Sequence, residues 1–263
     1  MMNIELRNVH FSYTKRKILD NITFSAHSGD FLFILGPNGV GKSTLFRCIL
    51  RLIKDYDGDI LIAGKNTKQM SIEELAKNIA YIPQSHYPAF NFSVLNSVLM
   101  GFTVHLKRYE SPGAGHEARA MKALEMLGIS HLWDRGYSEI SGGERQLALI
   151  ARAIVQNAKI LVMDEPTANL DYGNQVHVMR QVRKLSKQGY IVILSTHNPE
   201  HALLYGKKVL VLNDGRILKF GNPKEVLTES LLKQVFQVHV QLNDISTDYG
   251  QVRVIVPNHL LEI

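Results

Sequence analysis

The sequence predicts an α/β fold in which a mostly parallel sheet is covered by helices, preceded by an N-terminal antiparallel β subdomain and interrupted by an inserted helical subdomain. Three observations carry this. Short apolar runs, among them Phe31 to Leu35, Ile160 to Met163, Ile191 to Leu194 and Val209 to Leu212, alternate with helical patterns, as buried parallel strands joined by crossover helices do. Asn3 to Val9 and Ile18 to Phe24 alternate apolar and polar residues, the period of two expected of half-buried paired strands. Between about residues 88 and 156 the pattern turns mostly helical. At 263 residues, 45% hydrophobic and 21% charged, the chain is long enough to bury the core such a domain needs.

Taken in order, the run Phe31 to Leu35 is followed at once by glycines, and then by a helical pattern from Lys42 to about Ile53. Ser71-Ile72-Glu73-Glu74 has the Ser-x-x-Glu form of a capping box and opens a short helix, after which Ile79 to Ile82 returns to strand. Ser111 to Gly115 reads as a turn-rich loop within the helical lobe. A helix is expected near Gly173 to Lys187 and a shorter one after Pro199. From Asn222-Pro223 onward the pattern is a helical tail, then a small strand, Gln251 to Val256, that Pro257 ends. The expected organisation is a main domain over 1–221, with the helical part at about 88–156 inserted in it, and a tail over 222–263 packing on the same domain.

A net charge of +6 suits a polyanionic partner, but Lys and Arg are scattered, and the densest run, Thr14-Lys15-Arg16-Lys17, reads as a solvated loop. No nucleic-acid partner is expected. The single cysteine, Cys48, excludes an internal disulfide and falls in an apolar helical stretch, as a packed core thiol would. The N-terminus lacks a basic segment followed by an apolar run, and no apolar run approaches the ~18 residues a bilayer crossing needs.

Gly36-Pro37-Asn38-Gly39-Val40-Gly41-Lys42-Ser43 fits the phosphate-loop pattern G-x-x-x-x-G-K-[ST] in its required strand-to-helix setting, with Thr44 next in the helix. Backbone N–H groups can surround a β-phosphate, Lys42 can neutralise the β and γ oxygens, Ser43 can ligate Mg²⁺, and the helix N-terminus adds positive potential. ATPases, GTPases and small kinases all use such a loop. Ile160-Leu161-Val162-Met163-Asp164-Glu165 narrows the choice, because an apolar strand ending in two carboxylates offers Asp164 to the metal and Glu165 as a base toward water. No Asn-Lys-x-Asp sequence occurs to read a guanine base, so the expected ligands of this P-loop NTPase core are ATP and Mg²⁺.

Together with Ser141-Gly142-Gly143-Glu144 these elements resemble the ATP-binding cassette family, from about Asn3 to the end of the tail. The resemblance implies further roles in order along the chain. Tyr13 matches the aromatic that stacks on adenine; Gln84 matches the Q-loop glutamine, close to metal and water; Ala168-Asn169-Leu170-Asp171 matches the D-loop, with Asn169 where Ser is usual; His197 matches the switch histidine. His197 and His201 are also spaced i,i+4, but Pro199 lies between them and no third ligand is evident, so zinc is not expected.

Ser141-Gly142-Gly143 before a long helix makes a second anion-binding N-terminus, while one ATP has one γ-phosphate. The resemblance implies the symmetrical solution, a head-to-tail homodimer in which the SGG of one chain covers the phosphate loop of the other. A single cassette without a membrane segment needs separate permease subunits if it serves transport. The resemblance implies a location in the cytoplasm, peripheral on the inner face of the cell membrane. Phe90 to Val94, Val98 to Gly101 and the run Gly221 to Thr228 are similar to importers of iron-siderophore, haem and cobalamin complexes, in which the segment from Gln84 to Gly101 receives a permease coupling helix and a solute-binding protein acts upstream. Phe102-Thr103-Val104-His105 departs from that subfamily's pattern. Cassette ATPases of DNA repair or translation, and a non-hydrolysing regulatory subunit, are the alternatives; intact Lys42, Asp164, Glu165 and His197 speak against the last.

The family usually shows Leu-Ser-Gly-Gly-Gln where this chain has Ile140 and Glu144. A carboxylate beside a phosphate cradle is accounted for if Ser141 is the helix N-cap, since Glu144 is then the third helical residue and can turn back onto the Ser141 N–H.

Overall fold

The structure is a computed structural model that describes residues 2–84, 90–107, 109–248 and 250–258. In chain order its strands and helices are β1 (Asn3–Tyr13), β2 (Arg16–His27), β3 (Phe31–Leu35), α1 (Lys42–Ile49), β4 (Asp57–Ile62), β5 (Lys65–Asn66), α2 (Ile72–Asn78), β6 (Ile79–Ile82), α3 (Val94–Leu99), α4 (Ala114–Met126), α5 (Gly142–Val155), β7 (Ile160–Asp164), α6 (Tyr172–Lys187), β8 (Ile191–Thr196), α7 (Pro199–Tyr205), β9 (Lys208–Asn213), β10 (Arg216–Gly221), α8 (Pro223–Val226), α9 (Glu229–Phe236), β11 (Val240–Thr247) and β12 (Gly250–Pro257). They fall into two compact units, residues 1–68 with 193–263, and residues 69–192.

The first unit carries the N-terminal antiparallel sheet, in the order β2-β1-β4-β5, with β1 and β2 joined by the two-residue turn Thr14-Lys15. Ile4, Leu6, Val9 and Phe11 of β1 and Leu19, Ile22, Phe24 and Ala26 of β2 are buried, the alternation that strand periodicity dictates. A left-handed residue, Asn8 (φ 49), accompanies the register shift between Leu6 and Val9, so the paired strands run further than the alternation in sequence. The same unit holds the strand neighbours β10-β9-β3-β8, in which β3 and β9 are parallel and β10 is an antiparallel edge. Every residue of β3 is buried, as its unbroken apolar run requires.

In the second unit β6 and β7 pair in parallel, Ile79 to Ile82 against Ile160 to Met163. Helices α3 and α4 pack on α5, whose Leu147, Ala148, Ile150 and Ala151 are buried. Each fully buried Leu or Ile stabilises by roughly 1.5–3 kcal/mol. Gln156, the C-cap of α5, donates through Nε2 to Ala76 O (2.6 Å) and Ile79 O (3.0 Å), tying the helix end to the start of β6. No helix among the described residues is long and apolar enough to cross a membrane.

Two local expectations are corrected. The helix from Lys42 stops at Ile49 rather than near Ile53, because Arg51 takes a left-handed conformation (φ 56) and the Leu52 N–H donates back to Arg47 O at 2.9 Å, which closes the last turn. Ala114 and Gly115 lie in α4, not in the preceding loop; Gly113 is the cap, and a glycine is tolerated in a first turn whose amides lack helical partners anyway. The tail has its helices and the strand through Gln251 to Val256, which ends at Pro257, but that strand, β12, is paired in a hairpin with β11, a strand the sequence pattern did not mark. Strands β4 and β10 carry weak sequence signals and emerge only as partners of β1 and β9. Cys48 is buried, and burial pushes its thiol up to about 12. The lower end of the helical lobe at Pro88, and residues 85–89 of the segment following Gln84, lie outside the described residues, as do 259–263 of the tail.

Candidate functional site

In the first unit the phosphate loop is built by β3 and α1. The Gly36 N–H donates to Thr196 O at 3.3 Å at the end of β8, and a Cβ on Gly36 would lie 2.3 Å from Leu212 O, so only glycine fits between β3 and β9. Gly41, with φ 108, turns the chain into α1, and the Leu45 N–H bonds to Gly41 O at 2.8 Å. Helix α1 has no side-chain cap bond at Gly41 and no acidic residue in its first turn, whereas α2, α3, α5 and α6 each begin with a Ser or Asp side chain accepting a backbone N–H. Its first amides and dipole are therefore left for an anion. The Lys42 side chain, 5% exposed, donates from Nζ to Gly36 O (2.7 Å) and Pro37 O (3.0 Å), which folds it over the loop's own carbonyls. Asn38, Gly39 and Ser43 are exposed; Pro37, Val40 and Thr44 are half-buried. This geometry fits a polyphosphate.

Two further candidates belong to the same unit. Tyr13 ends β1 at the hairpin turn, is 45% exposed and meets Phe11 edge-on with ring centroids 4.7 Å apart. His197 is exposed just past β8, and the next residue, Asn198, caps α7 by accepting the Glu200 N–H at 2.9 Å. Within α7, His201 has its proton affinity lowered by burial and by the charge of His197, and its Nδ1 is buried with no hydrogen-bond partner among the described residues.

The second unit carries the remaining candidates. Asp164 closes the wholly buried strand β7, and Glu165 follows with φ 43, a left-handed backbone that is uncommon for a non-glycine residue. Gln84 is exposed two residues beyond β6. Helix α5 opens at Ser141 with the complete capping box: Ser141 Oγ accepts the Glu144 N–H at 3.3 Å, and the Ser141 N–H donates to Glu144 Oε2 at 2.7 Å. That backbone bond, followed by the Ser141 side chain, holds the Glu144 carboxyl below the usual carboxylate range. Asp171 caps α6 in the same way, with Oδ1 accepting the Asn174 N–H (2.9 Å) and Oδ2 accepting Asn174 Nδ2 (2.7 Å), which lowers its pKa.

The structure brings the SGG turn and the Asn169–Asp171 turn onto one surface. A Cβ on Gly142 would lie 3.2 Å from Leu170, and one on Gly143 only 2.5 Å from the Asn174 carboxamide. Asn174 was not among the residues singled out in the sequence; an Asn two residues after Tyr172 in a polar helix start gives no distinguishing signal. Gln146 is a second such residue. Its Nε2 is buried without a partner among the described residues, and the available sequence sign was a lone amide on the apolar face of α5.

Parallel strands with a phosphate loop at the β3–α1 junction, an uncapped helix N-terminus and an acidic strand end define the class of P-loop nucleotide-hydrolysing proteins. The family model described as ABC transporter matches residues 19–168. A relative from Haemophilus influenzae, "Uncharacterized ABC transporter ATP-binding protein", is 39% identical over 92% of this chain and 92% of its own length. One from Helicobacter pylori, "Probable iron chelatin transport ATP-binding protein", is 35% identical over 91% of this chain and 95% of its own. The solved structure "An inward-facing conformation of a putative metal-chelate type ABC transporter" superposes with a TM-score of 0.88 at 31% identity, covering 100% of this chain and 99% of that one. The chain belongs to the ABC transporter family, as an ATP-binding subunit with ATPase chemistry.

Proposed function

We propose that this chain is the ATP-hydrolysing subunit of an importer for a metal chelate of the iron-siderophore, haem or cobalamin kind, working as a homodimer on separate permease subunits. The observation that carries the nucleotide chemistry is the phosphate loop, with its uncapped α1 and the Lys42 amine resting on Gly36 and Pro37 carbonyls. The similarity to the iron chelatin and metal-chelate proteins supports the solute class. The chain docks peripherally on the inner face of the membrane, and a solute-binding protein acts upstream.

Lys42 leaves its carbonyl partners for the β- and γ-phosphate oxygens when ATP enters, and the amides from Gly39 to Thr44 grip the same phosphates. Tyr13 stacks on the adenine. Glu165 takes a proton from the attacking water, His197 holds the γ-phosphate, and ADP and phosphate leave. Ser43, Asp164 and Gln84 would hold Mg²⁺, their oxygens being the hard donors this ion prefers, and the ion would supply positive charge to offset that of the phosphates. Ser141, Gly142 and Gly143 bind the γ-phosphate of the partner's ATP, and Asn169 and Asp171 shape the same face. Residues 1–221 make the cassette and 222–263 its tail.

Purified chain, alone and with its permease subunits, is expected to hydrolyse ATP, and Lys42→Ala to lose nucleotide binding or turnover. Unaltered turnover in that variant overturns the reading. Uptake of labelled ferric chelate by vesicles carrying the complex tests the solute class, and uptake of an unrelated solute alone refutes it.

A further inference from the structure

Residues 90–95 run beside the loop that leads into α5. The Leu95 and Val94 N–H groups donate to Trp133 O and Arg135 O, each at 2.9 Å, the Tyr137 N–H donates to Phe92 O at 2.9 Å, and Ser93 bridges Gly136 in antiparallel fashion. Between the exposed rings of Phe90 and Phe92, Asn91 turns its carboxamide onto this loop. Its Oδ1 accepts the Ser138 N–H at 3.0 Å and its Nδ2 donates to Glu139 Oε1 at 3.3 Å. Glu139 Oε2 in turn accepts the Gly136 N–H at 3.2 Å. A Cβ on Gly136 would lie 2.5 Å from Asn91 Nδ2, so glycine is what leaves room for the carboxamide.

The network continues to the SGG turn. Arg145, in the first turn of α5, donates to Ile140 O at 3.0 Å, and Tyr137 donates through its hydroxyl to Arg145 O at 3.4 Å. Tyr137 and Ile140 are buried and pin the loop at two points, while Ser138 and Glu139 between them are exposed and depend on polar partners for their conformation. Ser141 and its box with Glu144 begin at the next residue.

We propose that Asn91 is a positioning residue for the SGG turn: through Ser138 and Glu139 it sets the conformation of the loop that delivers Ser141, and so sets the strength of ATP-driven dimer closure without touching the nucleotide of its own chain. This rests on the reading of SGG as the grip on the partner's ATP. It predicts a separation of two quantities. Affinity for a fluorescent ATP analogue at the chain's own phosphate loop does not change in Asn91→Ala, whereas ATP-dependent dimer formation weakens by about tenfold, the order expected for losing two hydrogen bonds and leaving the loop without them.

The chemistry of the pair supplies a stricter test. Asn91→Asp turns a donor into a carboxylate facing Glu139, and should weaken dimerisation more than Asn91→Ala. Combining it with Glu139→Gln restores one donor and one acceptor across the pair while the Gln oxygen still receives the Gly136 N–H, so the double variant should recover most of the loss. All variants are built in a Glu165→Gln background and followed by sedimentation with ATP, with melting temperature as a folding control. Dimerisation of Asn91→Ala equal to its parent, loss of analogue binding together with dimerisation, or no recovery in the double variant each overturn the proposal. Failure of the Glu165→Gln parent itself to dimerise counts against the functional reading instead.

Discussion

Glu144 is a carboxylate at a helix start that is proposed to meet phosphate, and its hydrogen bonds explain why the two do not conflict. One oxygen is held by the Ser141 N–H and the charge sits at the positive end of α5, where it stabilises the helix. Glu144→Gln keeps an acceptor for that N–H, so it should cost about 0.5 kcal/mol and lower the melting temperature by about 1–2 °C. Because the folded carboxyl titrates below its unfolded value, its stabilising share is complete above about pH 4.3 and is lost as pH falls through the lowered native value. The melting-temperature gap between wild type and variant is therefore expected at pH 7 and should close as pH falls below the lowered native value; a gap that widens in acid contradicts the box. Ser141→Arg, in contrast, should block dimerisation.

Elements here are held by what sits at their ends. The N-termini of α5 and α6 lie together because Gly143 has no side chain and Asn174 fills the space, itself tied to Asp171. Gly143→Ala puts a Cβ 2.5 Å from that carboxamide, and overpacking of this kind should destabilise by about 1–3 kcal/mol, partly offset by alanine's better helix propensity. Gly142→Ala, whose Cβ comes no nearer than 3.2 Å to Leu170, should be milder. Urea unfolding of the two variants decides this, and equal midpoints would show that Asn174 yields freely. Helix α1 is the opposite design, an N-terminus without a side-chain cap.

At the scale of the whole molecule, the prediction concerns assembly. Glu165→Gln should retain ATP binding but stall before hydrolysis, so gel filtration with ATP should show a dimer that wild type does not accumulate. Monomer alone under those conditions removes Glu165 from its role.

What the sequence determined by itself is the chemistry that depends on near neighbours along the chain. The phosphate loop, the acidic end of β7 and the Ser141–Glu144 box are legible because a strand-to-turn-to-helix junction or an i,i+3 cap is set by local dihedral angles and spacing. The end of α1 and the strand β11 are less legible, because a left-handed Arg51 and a short, mostly polar and exposed strand leave little pattern to read. Tertiary structure alone decided that Asn91 meets Ser138, 47 residues away, that Asn174 fills the space beside Gly143, and that Arg216 reaches Asp20 across 196 residues, joining the nearby Lys17, whose hydrogen bond comes first in holding that carboxyl down to about 2. Such pairs form only where packing of the whole chain brings distant backbone together, and no spacing rule records them.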